Sequence, residues 1–340
     1  MKLRAFSLYI ITFIMCIVCV MFGLAQDQEE IHLNFGSGSN PQSSNFPYHA
    51  TVNQLFDAAP GVKVSMTIPG GSVTGAMELL RREIDISGGL DLTIMYQMTN
   101  GLGTWEGNPL PNDLRVIGIL YERGAPVVVT KGSNINSLRD LDGKTYSFGF
   151  PGSSSQQMFD TALKNIGINV DTYPGSYDDA LTAIRDGRIA GYAKTSPAGR
   201  IDSGLLDIMF QKPLKIIGFS DEDILKIREE APYLIFKKIP ENYYEEVGNV
   251  EMNELVIRNA WLVHKDMPED IAYKITKSYV DGWEEELLNV YGPRMATQDP
   301  AYTPELISAI EGIYLHPGSL RYYREIGVDI PDSVIPPESR

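Results

Sequence analysis

The sequence predicts an α/β protein of two lobes that close on one another as a hinged clamshell. Three observations predict it: apolar β-type runs alternate with helical patterns, the alternation restarts at Lys144, and a long β-type run from Leu255 leads back toward the first lobe. On this reading residues 26–127 form the first part of lobe 1, 128–251 form lobe 2, and 252–340 return to lobe 1 with the C-terminal helices.

The first element stands outside both lobes. Lys2 and Arg4 precede an uncharged apolar run from Ala5 to Ala25, and no acidic residue occurs before Asp27. That is the layout of a cleavable signal peptide over residues 1–25, with Gly23 and Ala25 as the small residues before the cut. The run also approaches the length of a spanning anchor. Cys16 and Cys19, the two cysteines of the chain, both lie inside it, behind residues (Met15, Val18) bulkier than those that normally precede a lipid-bearing cysteine. Removing the segment leaves no disulfide and no thiolate chemistry. It also takes the formal charge from −15 to about −17. So acidic a chain is no partner for nucleic acid, which needs a basic face.

Ile31 to Phe35 reads as a strand, and Val52, Leu55, Phe56 and Ala59 then recur at helical spacing. Val62 to Ile68 is the next strand, followed by a helix from Ser72 with Val73, Ala76, Met77 and Leu80 on one face. Ile84 to Leu90 is a strand and Asp91 opens a helix, which completes a βαβαβ order. Leu114 to Leu120 and Pro126 to Thr130 are two further strands, separated by turn residues Glu122 to Ala125. The second round begins with a strand over Lys144 to Phe150 and a helix presenting Phe159, Ala162, Leu163 and Ile166. It continues through a strand near Val170, a helix over Ala180 to Ile184 and a strand from Arg188 to Lys194. Ile216 to Phe219, a charged helix from Asp221 to Glu230, an extended Tyr233 to Ile239 and the run Leu255 to His264 follow. A long helix after Pro268 extends to about Val290.

One local device recurs three times: Gly36-Ser37-Gly38-Ser39, Pro69-Gly70-Gly71-Ser72 and Pro151-Gly152-Ser153-Ser154-Ser155. In each, a strand runs into a small-residue loop that opens a helix. Helix N-termini carry unpaired N–H groups and partial positive charge, glycine lets a ligand approach the backbone, and serine adds a hydroxyl donor. Such loops suit a carboxylate, although any βα turn also favours glycine and an N-cap serine. Three of them at the carboxyl ends of strands fall where open α/β sheets bind ligands.

The C-terminal stretch Leu315-His316-Pro317-Gly318-Ser319-Leu320-Arg321-Tyr322-Tyr323-Arg324-Glu325-Ile326-Gly327 resembles the TAXI group, the TRAP-associated extracytoplasmic immunogenic proteins. The segments IPGGSVTGAMELLRREIDIS, LRDLDGKTYSFGFPGSSS and DDALTAIRDGRIAGYAKTSP, with Ile239-Pro240 to Tyr244, extend the likeness in the same order over most of the chain. The resemblance implies a type II-like periplasmic-binding-protein clamshell with the ligand between its lobes. It implies a monomeric receptor that delivers a small organic anion (a dicarboxylate, 2-oxoacid or acidic amino acid) to the membrane permease of a TRAP-type transporter. It places the ligand against Ser37, Gly38 and Ser39, against Gly71 and Ser72, and against Gly152, Ser153 and Ser154. The chain departs from the family pattern at Gln42-Ser43-Ser44-Asn45-Phe46, where two glycines and paired tyrosines are usual. Serine and asparagine supply neither that backbone freedom nor those phenols, so ligand identity is open there.

Other residues admit two readings each. His316 is either a ligand group or a structural hydrogen-bond partner at a helix entrance; Tyr322 and Tyr323, with Arg321 and Arg324, are either a docking face or a packed terminal helix. Arg115, Arg123, Lys194 and Arg200 stand nearest predicted strand ends, where one of them could neutralise a bound anion. Tyr192 lies on the lobe 2 wall or in its core. No GxGxxG, Walker, HExxH or GxSxG pattern is present, and His32, His49, His264 and His316 lack metal-ligand spacing. The sequence therefore predicts no cofactor, no metal and no enzymic activity. A binding protein feeding a sensor or another uptake system, and an exported hydrolase, are the alternatives.

Overall fold

A computed structural model of the chain describes residues 30–38, 46–69, 71–149, 154–196, 199–201, 203–289 and 299–340. The expected signal segment 1–25, together with Ser39, Gly152 and Ser153, lies outside the described residues.

The chain opens with β1 (Ile31–Gly36), α1 (Phe46–Asp57), β2 (Val62–Thr67), α2 (Ser72–Leu80), β3 (Ile86–Asp91) and α3 (Leu92–Asn100). β1 lies between β2 and β3, parallel to both. Burial alternates along β2, as expected of a strand with one covered face, whereas β3 is buried throughout because both of its faces are covered. Asp91 caps α3 as its position predicts, accepting a hydrogen bond from the Thr93 amide at 2.7 Å.

β4 (Leu114–Gly124) and β5 (Val127–Thr130) belong to different sheets. The sequence suggests a turn over Glu122 to Ala125, but β4 continues through Gly124. Tyr121, Glu122 and Arg123 stay in register with Asn259, Arg258 and Ile257 of β11 (Met252–His264). Glu122 is buried there between two cations, Lys237 Nζ and Arg258 Nε, each at 2.7 Å. Burial pushes its carboxyl up, but Arg258 and Lys237 outweigh that and hold it below the usual carboxylate range.

The second round comprises β6 (Thr145–Tyr146), α4 (Ser154–Asn165), β7 (Asp171–Thr172), α5 (Tyr177–Arg185), β8 (Gly191–Ala193), α6 (Ser203–Met209), β9 (Leu214–Ile217) and α7 (Asp221–Glu230). β5 sits between β8 and β9, while β6 and β7 form a separate parallel pair. β6 is shorter than the apolar run suggests because pairing with β7 involves two residues only; Ser147 then bridges to Tyr192. Ser220 and Asp223 form a capping box that starts α7 where its acidic first turn predicts.

β10 (Ile235–Ile239) and β11 rejoin the larger sheet, whose order is β10-β11-β3-β1-β2 with β4 also paired to β11. Among the described residues, the backbone bridges Gly124 to Ser196 and Phe219 to Asn253 link the sheets. One apolar cluster runs from Leu90 and Leu92 through Val127 and Val129 to Phe148 and Phe159; Trp261, Phe35 and Phe56 centre a second, and Val128, Ile184 and Tyr192 belong to a third.

The C-terminal elements α8 (Glu269–Gly282), α9 (Thr303–Ile307) and α10 (Pro317–Glu325) cover β4. The hydroxyls of Tyr323 and Tyr279 donate to the Ile117 and Ile119 carbonyls at 3.0 and 2.8 Å, and Thr303 Oγ1 accepts from the Ile119 amide. His316 caps α10, its Nδ1 accepting the Gly318 amide at 3.1 Å, and burial lowers its pKa to about 4. The structural reading of His316 therefore holds. Tyr322 and Tyr323 are packed and not a docking face, being 2% and 0% exposed. A Cβ on Gly318 would lie 2.2 Å from the Glu269 carbonyl oxygen, so α10 approaches α8 at a distance only glycine allows. Gly318→Ala should cost about 1–3 kcal/mol by overpacking, read as a lowered urea midpoint with unchanged slope.

Glu254 supplies a second stability test. Burial raises its carboxyl pKa to about 8, against the opposing effects of the Tyr244 hydroxyl, which donates to it at 2.6 Å, and of Lys237. A carboxyl whose folded pKa exceeds its unfolded value binds more protons in the folded state, so its contribution is full below the unfolded value near 4.5 and is lost as pH rises through about 8. Asp91, raised to about 6 by burial, acts in the same direction. Urea stability should fall between about pH 6.5 and pH 8, above the range in which the lowered pKa values of His49 and His316 act the other way, and Glu254→Gln should flatten that slope; an unchanged slope would refute the assignment.

Candidate functional site

The first loop leaves β1 at Gly36 and is held at once. The Ser37 amide donates to the Thr67 carbonyl at 2.9 Å, and Ser37 is fully buried with its hydroxyl 3.1 Å from His49 Nδ1. His49, on α1, lies beside Phe35 and edge-on to Trp261 at 5.0 Å between ring centroids. Desolvation, followed by the nearby Arg123 charge, lowers its pKa to about 3, so the ring is neutral at physiological pH.

Gly38 follows. A Cβ there would fall 2.0 Å from the Gly88 carbonyl oxygen and 3.1 Å from Ser72 Cβ, so the first loop lies directly against β3 and the start of α2. Gly71, the N-cap of α2, has φ 139° and makes no side-chain cap. That backbone conformation requires glycine, and the space beside its Cα is open. Gly38, Gly71 and Ser72 are thus brought together, with helix amides at hand and no capping side chain over them.

Ser154 begins α4, so the third loop also opens a helix. Tyr192 is 2% exposed, its phenol pKa raised by burial, and its ring is tilted against Tyr177 at 5.1 Å.

The four basic candidates separate into two kinds. Arg115 is buried and bidentate with Glu338, at 2.8 and 2.9 Å, and Arg200 meets Glu246 at 3.3 Å. Arg123 and Lys194 instead stand one and two residues before Gly124 and Ser196, which bridge the two sheets. Arg123 closes β4 with its guanidinium carbon 4.2 Å from the Tyr121 ring centroid, and Lys194 follows β8 with Nζ 3.7 Å from that of Tyr177. Desolvation lowers the Lys194 pKa, and the Arg123 charge lowers it further. The Arg123 charge therefore bears on both His49 of α1 and Lys194 after β8.

Sequence reasoning identified Arg123 and Lys194 only as members of a set, and it missed His49, Tyr121 and Tyr177. Position does signal Tyr121: it precedes Arg123 by two, which puts both side chains on one face of a strand. The contacts of His49 are long-range and left no local pattern. Among the described residues, no group of three His, Cys, Asp or Glu side chains is placed to hold a metal, and no helix is long and apolar enough to cross a membrane.

This architecture is found in solved binding proteins. A TctC solute-binding protein from Polaromonas shares it with a TM-score of 0.55 at 12% identity, over 87% of this chain and 97% of that one. A Xanthomonas citri protein bound to a chloride ion gives 0.49 at 12% identity, over 87% and 95%. The periplasmic binding protein BugD gives 0.47 at 13%, over 89% and 99%. The fold is that of two-lobed solute-binding proteins. The NMT1-like family model matches residues 38–327, which take in the Gly38, Gly71 and Ser72 cluster, both bridges between the sheets and the α10 clamp, and the chain belongs to that family.

Proposed function

We propose that this protein is an extracytoplasmic solute receptor that holds a small organic anion between its lobes and delivers it to a membrane permease. The observation that carries the reading is the meeting of Arg123 and Lys194. Two like charges approach one another from different sheets, partly desolvated, beside a neutral imidazole. The Arg123 charge raises the cost of charging Lys194, and an anion beside them lowers it. Because one cation belongs to each sheet, the anion binds a closed arrangement better than an open one, and that difference in affinity drives closure.

The remaining contacts come from Gly38, Gly71 and Ser72 on one side and from the Gly152-Ser153-Ser154 loop on the other, with Ser39 beside the first. Lobe 1 takes in residues 26–127 and 252–340 and lobe 2 takes in 128–251 apart from β10, which lies in the larger sheet, with residues 1–25 serving as the export signal. The buried Tyr192 backs Tyr177 on the lobe 2 wall. The ordered resemblance to TAXI proteins favours a TRAP-type permease as the recipient, and a dicarboxylate, 2-oxoacid or acidic amino acid as the cargo. The receptor binds without turnover.

Thermal unfolding of residues 26–340, refolded from denaturant to strip carried ligand, tests this against dicarboxylates, 2-oxoacids, amino acids and neutral sugars. One or a few of the acids should raise the midpoint. A rise with a neutral compound alone would overturn the anion assignment. Arg123→Gln and Lys194→Gln should each weaken binding of the stabilising acid by about 1.5–3 kcal/mol. With the His49 pKa near 3, affinity should be flat through the usual histidine range and should fall only at alkaline pH, as Lys194 loses its proton earlier than an ordinary lysine. A histidine-like step near neutrality would show that the imidazole titrates in the site.

A further inference from the structure

The smaller sheet carries a second cationic cavity, well away from Arg123 and Lys194. It has a volume of about 510 Å³ and sits at the edge of the sheet opposite the Gly124–Ser196 bridge, where Thr130, Ala190 and Pro213 mark the ends of β5, β8 and β9. Six residues of extended chain separate Gly124 from Thr130, so the two places are roughly 20 Å apart.

Its lining holds three cations, Lys144, Arg188 and Lys212, and no carboxylate, on a chain whose formal charge is −15. Arg188 is offset by Asp186 at 3.3 Å and steadied by the Tyr173 hydroxyl at 3.5 Å. Lys212 Nζ donates to the Ile184 carbonyl at 3.0 Å near the end of α5, which fixes the ammonium without neutralising it. Among the described residues no carboxylate pairs with Lys212 or with Lys144. The cavity therefore keeps an excess of about two positive charges, a number that follows from the group charges at neutral pH. Gly187, at φ 73°, brings bare backbone to the wall, with the Lys212 ammonium 3.5 Å from where a Cβ would stand. Ile184, Ile189, Ala190 and Pro213 give an apolar floor, and Thr130, Thr145 and Gln211 are polar groups at its rim.

We infer that this cavity is a second ligand site, for a small anion carrying two or more carboxylate or phosphoryl groups. The size is that of a small-molecule pocket, and an apolar floor with a few fixed charges is the usual composition of one. All of its lining belongs to residues 130–213, on the β8-β5-β9 sheet and the β6–β7 pair beside it, so a ligand there touches no strand of the larger sheet. Such a ligand binds open and closed forms alike, and the site is independent of the inter-lobe reading.

Tricarballylate and inorganic pyrophosphate are the probes. Calorimetric titration of protein carrying Arg123→Gln and Lys194→Gln should show saturable binding of at least one of them. The binding should weaken at least tenfold on adding either Lys144→Glu or Lys212→Glu, and should fall as salt rises. Tricarballylate alone would identify a carboxylate site, and pyrophosphate alone a phosphoryl site. In the unmodified protein the amide resonances of Gly132 and Gly187 should move during the titration, which covers the case in which the double variant folds poorly. Absence of saturable binding by both probes, or binding that Lys144→Glu and Lys212→Glu leave unchanged, would overturn the proposal. Either result leaves the Arg123 and Lys194 assignment to its own test.

Discussion

The antiparallel pairing of β4 with β11 is the constraint on which the rest of the structure depends. It joins a strand from the first βαβ round to one more than a hundred residues later, and it carries the chain out of the larger sheet at Gly124 and into β5. The ladder is held at that end by Glu122, buried between Arg258 and Lys237, so removing any one of the three leaves a desolvated charge without its full complement. Arg123 is the next residue. Its position in the site is inherited from the ladder, and the same is true of Gly124, whose carbonyl accepts the Ser196 amide two residues after Lys194. A shift of one residue in the register would turn Arg123 to the opposite face and place Glu122 where the anion is expected.

The outer side of β4 explains a feature that sequence alone leaves ambiguous. Strand carbonyls that face no partner strand need donors, and here tyrosine hydroxyls reach Ile117, Ile119 and Leu120 from α10, α8 and α1. The His-Pro-Gly-Ser-Leu-Arg-Tyr-Tyr motif, the most specific stretch in the chain, is therefore a clamp. Its histidine caps a helix, its glycine lets two helices touch, its serine meets Thr276 at 2.7 Å, and its second tyrosine donates to the strand. It constrains the fold, and through the fold the site, without approaching the candidate ligand contacts.

Elements whose stability is local were legible before any coordinates. The charged helix α7, Asp91 as a cap and the βαβαβ order all follow from short-range pattern and recur in the structure. Elements defined by a distant partner were not. Glu122 to Ala125 resembles a turn because it contains charges and a glycine, and only the cations of β10 and β11 make it a strand. The site divides in the same way. Gly38, Gly71 and Ser72 are recognisable as βα-turn residues, whereas the ion pairs of Arg115 and Arg200 depend on Glu338 and Glu246, carboxylates 223 and 46 residues away.

The electrostatics of the site make sense only against the acidity of the whole. A chain with a formal charge of −15 repels an anion at long range, so the proposed capture cannot rest on its overall field and needs cations concentrated where water is partly excluded. There each charge acts more strongly, and each is also more costly to keep unpaired. Arg123 and Lys194 both lie against tyrosine faces, whose ring quadrupole attracts a cation without neutralising it. Keeping His49 neutral prevents a third positive charge from forming, and its nitrogen is occupied by Ser37. Arg115, held bidentate by Glu338, is a cation that serves the fold, whereas on the proposed reading Arg123 and Lys194 are the cations that meet the ligand.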